Sequence, residues 1–198
     1  MGQAGRTLAA TALAIGCALA VPAAASAEIR ELTLDRGTLT IKSSDERDVI
    51  EVAAGRKSVI VSDRDGVPEA AAPCKGGGIE TTLACPRDEV DEVVVDLRDA
   101  NDRFDGDGKL RFEVDGDAGD DEIDGGDARD LLEGRTGDDR IDGSAGSDEI
   151  LGGLDDDTLF GKGGRDLLDG GPGKDRGDGG AGKDRCLGVE KAGKGNCA

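Results

Sequence analysis

From Gly116 to Leu187 the chain keeps a nine-residue period, and that period limits what it can fold into. The eight consecutive frames read GDAGDDEID, GGDARDLLE, GRTGDDRID, GSAGSDEIL, GGLDDDTLF, GKGGRDLLD, GGPGKDRGD and GGAGKDRCL. Position 1 is Gly in all eight, and position 6 is Asp in all eight: Asp121, Asp130, Asp139, Asp148, Asp157, Asp166, Asp175 and Asp184. Position 4 is Gly except at Ala128 and Asp155, and position 8 is aliphatic except at Gly177 and Cys186. An acidic, Gly-rich tail without structure predicts no phase, whereas this alignment arises from composition alone with a probability on the order of 10⁻⁹.

Residue types give the frame its physics. Gly at positions 1, 2 and 4 supplies tight turns, often with positive φ, and leaves carbonyl oxygens exposed. Asp at position 6 sets a carboxylate beside them, and an all-oxygen donor set suits a hard cation such as calcium, not zinc. Positions 7–9 form a short strand whose position-8 side chain points inward. One inward aliphatic per nine residues is a thin core against an ordering cost of about 1–2 kcal/mol per residue, so bound metal has to supply the balance.

These frames resemble the RTX, or hemolysin-type, calcium-binding repeat, G-G-x-G-x-D-x-U-x, over about 72 of the 198 residues. The resemblance implies an all-β chain: a right-handed parallel β-roll, or β-solenoid, in which two frames make one turn. Calcium would lie between stacked turns, held by turn carbonyls and the position-6 Asp. One edge would align Asp121, Asp139, Asp157 and Asp175, the other Asp130, Asp148, Asp166 and Asp184, for roughly three ions per edge and roughly six Ca2+ in all. Departures from the pattern lie at Ala128 and Asp155, which weaken their turns, and at Gly177, which leaves a hole in the inner row. Lys162, Lys174 and Lys183 lie near the sites and weaken some of them.

The flanks read as caps. Residues 1–27 hold no acid and one base, Arg6, then an apolar run from Leu8 to Val21 and the triplet Ala25-Ser26-Ala27. This is the pattern of a cleaved signal peptide, with the mature chain starting at Glu28 and secreted. A retained anchor and a lipoprotein attached through Cys17 are the alternatives. Residues 28–97 are expected to form a strand-rich N-terminal cap, with strands near Leu32–Leu34, Thr38–Ile41, Val49–Val52, Ser58–Val61, Thr81–Ala84 and Val93–Leu97 and no helix. A separate ligand-binding β domain is the other reading of this region. Residues 98–115 hold a degenerate frame with Asp102 at position 6, Phe104 at position 8 and one inserted residue before Gly116, which makes Asp102 a further ligand candidate. Four Cys remain after Cys17; of three pairings, the local Cys74–Cys85 and Cys186–Cys197, each eleven positions apart, are expected, the second closing residues 188–198 into a C-terminal cap.

Composition excludes other classes. The chain has 44 Asp+Glu, 25 Lys+Arg, no His, no Trp and no Tyr, for a net charge of -19. That charge disfavours nucleic acid and anionic membrane. Without His, and without a G-x-S-x-G elbow, no nucleophilic or acid/base constellation is legible, so no enzyme is expected. Near-matches to a phosphate loop at Gly177–Lys183 and Gly188–Lys194 lack the Ser or Thr that must follow. The sequence therefore reads as a secreted calcium-binding repeat protein without membrane insertion, its extracellular or cell-surface partner unknown. Two alternatives are an adhesion or matrix module stiffened by calcium, marked by an exposed apolar patch on residues 28–115, and an accessory domain detached from an exported hydrolase.

Overall fold

A computed structural model describes residues 29–63, 74–76 and 82–191. The leader at 1–27, Glu28, Thr81 and Cys197 lie outside the described residues. Among the described residues every regular element is a strand except one, a 3-10 turn at Arg87–Glu89. Among the described residues no helix is long and apolar enough to cross a membrane.

The strands, in chain order, are β1 (Glu31–Asp35), β2 (Thr38–Lys42), β3 (Val49–Ala54), β4 (Ser58–Asp63), β5 (Lys75–Gly76), β6 (Thr82–Pro86), β7 (Glu92–Asp96), β8 (Arg103–Gly108), β9 (Arg111–Asp115), β10 (Glu122–Asp124) and β11 (Leu131–Thr136). They continue as β12 (Arg140–Asp142), β13 (Ala145–Gly146), β14 (Glu149–Leu154), β15 (Thr158–Phe160), β16 (Gly163–Gly164), β17 (Leu167–Asp169), β18 (Asp175–Asp178), β19 (Ala181–Gly182), β20 (Arg185–Leu187) and β21 (Val189–Lys191). From β7 onward the strands alternate between two walls, apart from the two-residue β13, β16 and β19, which pair with one another as a third sheet. One wall orders β1-β2-β7-β9-β11-β14-β17-β20, the other β21-β18-β15-β12-β10-β8-β3-β4-β6-β5. Within the repeats all pairing is parallel with a stagger of eighteen residues, as at Ile123↔Ile141 and Leu132↔Ile150. Two nine-residue frames thus make one coil, and the chain is a β-solenoid.

The solenoid does not start at Gly116. Strand β2 pairs in parallel with β7, and β3 with β8, so residues 38–54 form a first coil and 92–108 a second. Residues 55–91 are inserted between them. The open end is closed by antiparallel pairing: β1 folds back on β2, and β4 and β6 extend the other wall past β3. Antiparallel hairpins stop the parallel stack from offering a free edge. A disulfide, Cys74–Cys85, ties β5 to β6.

The core is uneven. Eighteen buried apolar side chains lie between Ile29 and Val114, and six lie in the repeats: Ile123, Leu132, Ile141, Ile150, Leu159 and Leu168. Upstream strands such as β2 and β7 bury two inward residues, Leu39 and Ile41 or Val93 and Val95, whereas a repeat strand such as β10 buries one. Phe104 and Phe112 meet edge to face, with centroids 5.4 Å apart, at the junction of the two zones. A side chain at Gly106, in β8, would lie 2.9 Å from the Phe112 ring. One extra residue between Asp105 and Arg111 sets the stagger at nineteen residues in both the β7–β9 and the β8–β10 pairs.

Two expectations need correction. Gly177 leaves no hole: a methyl group there would sit 2.8 Å from Val189 Cγ2, because the last coil is shortened so that Val189 pairs opposite Asp175. Position 1 does not need positive φ. It is positions 2 and 4 that take it, including non-Gly residues Arg135 (φ 76), Ser144 (φ 62) and Asp155 (φ 79). The position-1 glycines are required by space instead, as the site geometry makes clear.

Candidate metal centre

Each frame turns sharply after its strand, and the turn delivers the position-6 Asp into the interior. All eight, and Asp102, are 1–3% exposed. They stack as two ladders. In the first, the backbone N–H of Asp102 donates to Asp121 Oδ1, that of Asp121 to Asp139, that of Asp139 to Asp157 and that of Asp157 to Asp175, at 2.8–3.0 Å. In the second, the N–H of Phe112 donates to Asp130 Oδ1, that of Asp130 to Asp148, that of Asp148 to Asp166 and that of Asp166 to Asp184. The structure therefore brings the candidates together in the two rows expected.

Each Oδ1 is thus satisfied by the neighbouring coil. The other oxygen is not. The Oδ2 atoms of Asp102, Asp121, Asp139, Asp148, Asp157, Asp166, Asp175 and Asp184 are buried and accept no hydrogen bond. Asp130 differs, since its Oδ2 accepts the N–H of Gly126 in its own turn. A buried carboxylate oxygen without a partner is costly, and eight in register point to a common counter-charge.

All of these free oxygens except that of Asp102 face the position-1 glycine of their own frame. A methyl group on Gly134 would lie 2.1 Å from Asp139 Oδ2 and 2.7 Å from the carbonyl oxygen of Gly152 in the next coil. On Gly152 it would lie 2.3 Å from Asp157 Oδ2 and 2.9 Å from Gly170 O, and on Gly161 2.6 Å from Asp166 Oδ2 and 2.8 Å from Gly179 O. Position 1 must therefore be Gly to leave open a cradle lined by one carboxylate and one carbonyl. At position 4 the turns approach equally closely: a methyl on Gly164 would sit 1.4 Å from Gly146 O.

The donors are all oxygen, with no sulfur and no imidazole, which fits calcium. Among the described residues no three His, Cys, Asp or Glu side chains gather at one point. A calcium ion here would therefore take most of its ligands from main-chain carbonyls, as the Gly content allows.

Burial also acts on the carboxyl groups. It pushes Asp102, Asp121, Asp139, Asp148 and Asp157 up to about 7, with the neighbouring N–H pulling back only in part. Asp130 and Asp166 are raised for the same first cause. Without a cation, the interior favours the neutral acid.

Of the lysines expected near the sites, Lys174 and Lys183 directly precede Asp175 and Asp184, and Lys162 turns away. Lys162 Nζ is 2.9 Å from Asp142 Oδ2 and 5.2 Å from the Phe160 ring centre, on the outer wall. Lys174 and Lys183 are exposed. Cys186 is disulfide-bonded.

One buried acid is missing from the expected set. The N–H of Asp48 donates to Asp102 Oδ1 at 2.6 Å, so Asp48 heads the first ladder. Its Oδ2 accepts the N–H of Ser44. Residues 43–51 read SSDERDVIE, a frame with Ser-Ser for Gly-Gly, Asp48 at position 6 and Ile50 at position 8. The phase would have revealed it, had the inserted residues 55–91 not hidden it.

A protein-family model described as RTX calcium-binding nonapeptide repeat (4 copies) matches residues 115–150, 124–159 and 151–186. No curated protein and no solved structure matches the chain.

Proposed function

Residues 115–186 are RTX calcium-binding nonapeptide repeats, and on that footing we propose that the chain is a secreted protein whose repeat array folds on binding several calcium ions. The observation that carries this reading is the register of unpartnered Oδ2 atoms against the position-1 glycines. Asp121, Asp139, Asp157 and Asp175 would hold ions on one edge, and Asp148, Asp166 and Asp184 on the other, each with turn carbonyls. Asp130 and Asp102 would be weaker members. The Oδ2 of Asp130 is already engaged, and Leu97 stands at position 1 of the frame holding Asp102, where the repeats have Gly. Calcium supplies the positive charge that lets buried carboxylates ionise. The protein's own part is to align the rows, exclude water and convert binding energy into folding energy.

The role is one of binding and structure, without catalysis. Secretion is supported by the leader-like residues 1–27 and by the disulfide Cys74–Cys85. The adhesion reading calls for an apolar patch on residues 28–115. The large apolar side chains most exposed among the described residues are Leu154 and Leu187, both in the array.

Native mass spectrometry of the chain from Glu28 tests the proposal. Several calcium ions should be retained, magnesium should not replace them, and Asp157→Ala should remove one or two, because Asp157 lies between Asp139 and Asp175. Retention of no more calcium than magnesium would refute it.

A further inference from the structure

Successive frames alternate between the two edges of the solenoid, and their position-5 residues alternate with them. On the edge of Asp121, Asp139, Asp157 and Asp175, position 5 holds Asp120, Asp138, Asp156 and Lys174. On the edge of Asp130, Asp148, Asp166 and Asp184 it holds Arg129, Ser147, Arg165 and Lys183. All eight side chains are exposed. The acidic ones are aligned: the N–H of Asp138 donates to Asp120 Oδ1, that of Asp156 to Asp138 Oδ1 and that of Lys174 to Asp156 Oδ1, at 2.9–3.0 Å. An outer row of carboxylates thus runs beside the inner one on this edge alone.

The rest of each turn widens the difference. Over positions 2–5 the first edge carries five acids and two bases, a charge of -3, and the second one acid and four bases, a charge of +3. Arg135 on the first edge is held by Asp115, and Lys162 on the second by Asp142. Leaving those two out keeps the opposition.

We infer that the two edges are unequal calcium ladders: the edge of Asp121, Asp139 and Asp157 binds more tightly and fills first, and the opposite edge fills second. This rests on the calcium reading above. The cause is electrostatic. Position 5 directly precedes the buried Asp, so its charge lies within about one Debye length of the inner row. In water a unit charge about 8 Å from a divalent ion changes its binding roughly fivefold, and several such charges act with opposite sign on the two edges. The solenoid would then stiffen along one edge at low calcium and close along the other only as calcium rises.

Calorimetric titration of the chain from Glu28 with calcium, at low salt, reads this directly. Two classes of site are expected, at least tenfold apart. The triple variant Asp120→Ser/Asp138→Ser/Asp156→Ser should weaken the tight class at least tenfold. Ser is compatible with the turn, because Ser147 Oγ accepts the N–H of Arg165 at this very position. Arg129→Asp/Arg165→Asp/Lys183→Asp should tighten the weak class by a similar factor. In the unaltered chain, raising salt from about 0.05 to about 0.5 M should draw the two classes together, a readout that needs no variant to fold. A single class, unmoved by salt and by both variants, would overturn the inequality of the edges while leaving calcium binding intact. No calcium uptake at all would instead overturn the calcium reading itself.

Discussion

Gly134→Ala is expected to destabilise the calcium-loaded array by about 3 kcal/mol, the upper range for overpacking a fixed site, and to cost it an ion. The methyl group would lie 2.1 Å from Asp139 Oδ2 and 2.7 Å from Gly152 O. Neither atom can yield easily. Asp139 is held through Oδ1 by the N–H of Asp121, and Gly152 O belongs to the backbone of the next coil. The methyl group also fills the cradle in which an ion would sit. Gly163→Ala is the control, since a methyl there meets only Ser144 O, at 3.8 Å, and should change stability by well under about 1 kcal/mol. Thermal melts and ion counts on the two variants separate a requirement for Gly from a mere abundance of it. Equal melts would mean that position 1 is not the constrained one.

The second large effect is a pH dependence that changes sign with calcium. In the calcium-stripped fold, burial raises Asp102, Asp121, Asp139, Asp148 and Asp157 to about 7, from an ordinary value of 3.8. The folded form then holds protons that the unfolded chain has released. Stability is therefore full below about pH 4 and falls as pH rises through about 7. A tenfold change in the proton affinity of one group is worth about 1.4 kcal/mol, so five groups together give several kcal/mol. With saturating calcium the order reverses, because protons compete for the same carboxylates. Stripped protein should melt higher at about pH 5 than at about pH 8, and loaded protein the other way round. The same slope in both states would mean that protons and calcium do not share these groups.

Much of this was legible in the sequence because the frame is read by chemistry at fixed phase. Position 8 announced the inner row from Ile123 to Leu168, and position 6 the two ladders, since a parallel stagger of eighteen residues carries each Asp onto its like. Upstream, strands expected at Thr38–Ile41 and Val49–Val52 appear as β2 and β3. What could not be read was that they are the first coil. The insertion at 55–91 separates Asp48 from Asp102, and Ser43-Ser44 stands where Gly-Gly marks a frame. The role of Val189 was equally hidden, because it depends on the shortened last coil and not on any residue type. The space requirement at position 1 is a property of two chains approaching each other, which composition does not carry.

The uneven core sets the central test. Residues 29–114 bury enough apolar surface to hold the N-terminal coils together, whereas the repeats bury one aliphatic per frame around rows of carboxylates. The array should therefore depend on calcium and the N-terminal region should not. Far-UV circular dichroism of the chain from Glu28, titrated with calcium and in parallel with magnesium, measures this most directly. A partial β signal in chelator, rising cooperatively to that of the full solenoid with calcium alone, is the result expected. A spectrum already complete in chelator at about pH 8, and indifferent to added calcium, would contradict it.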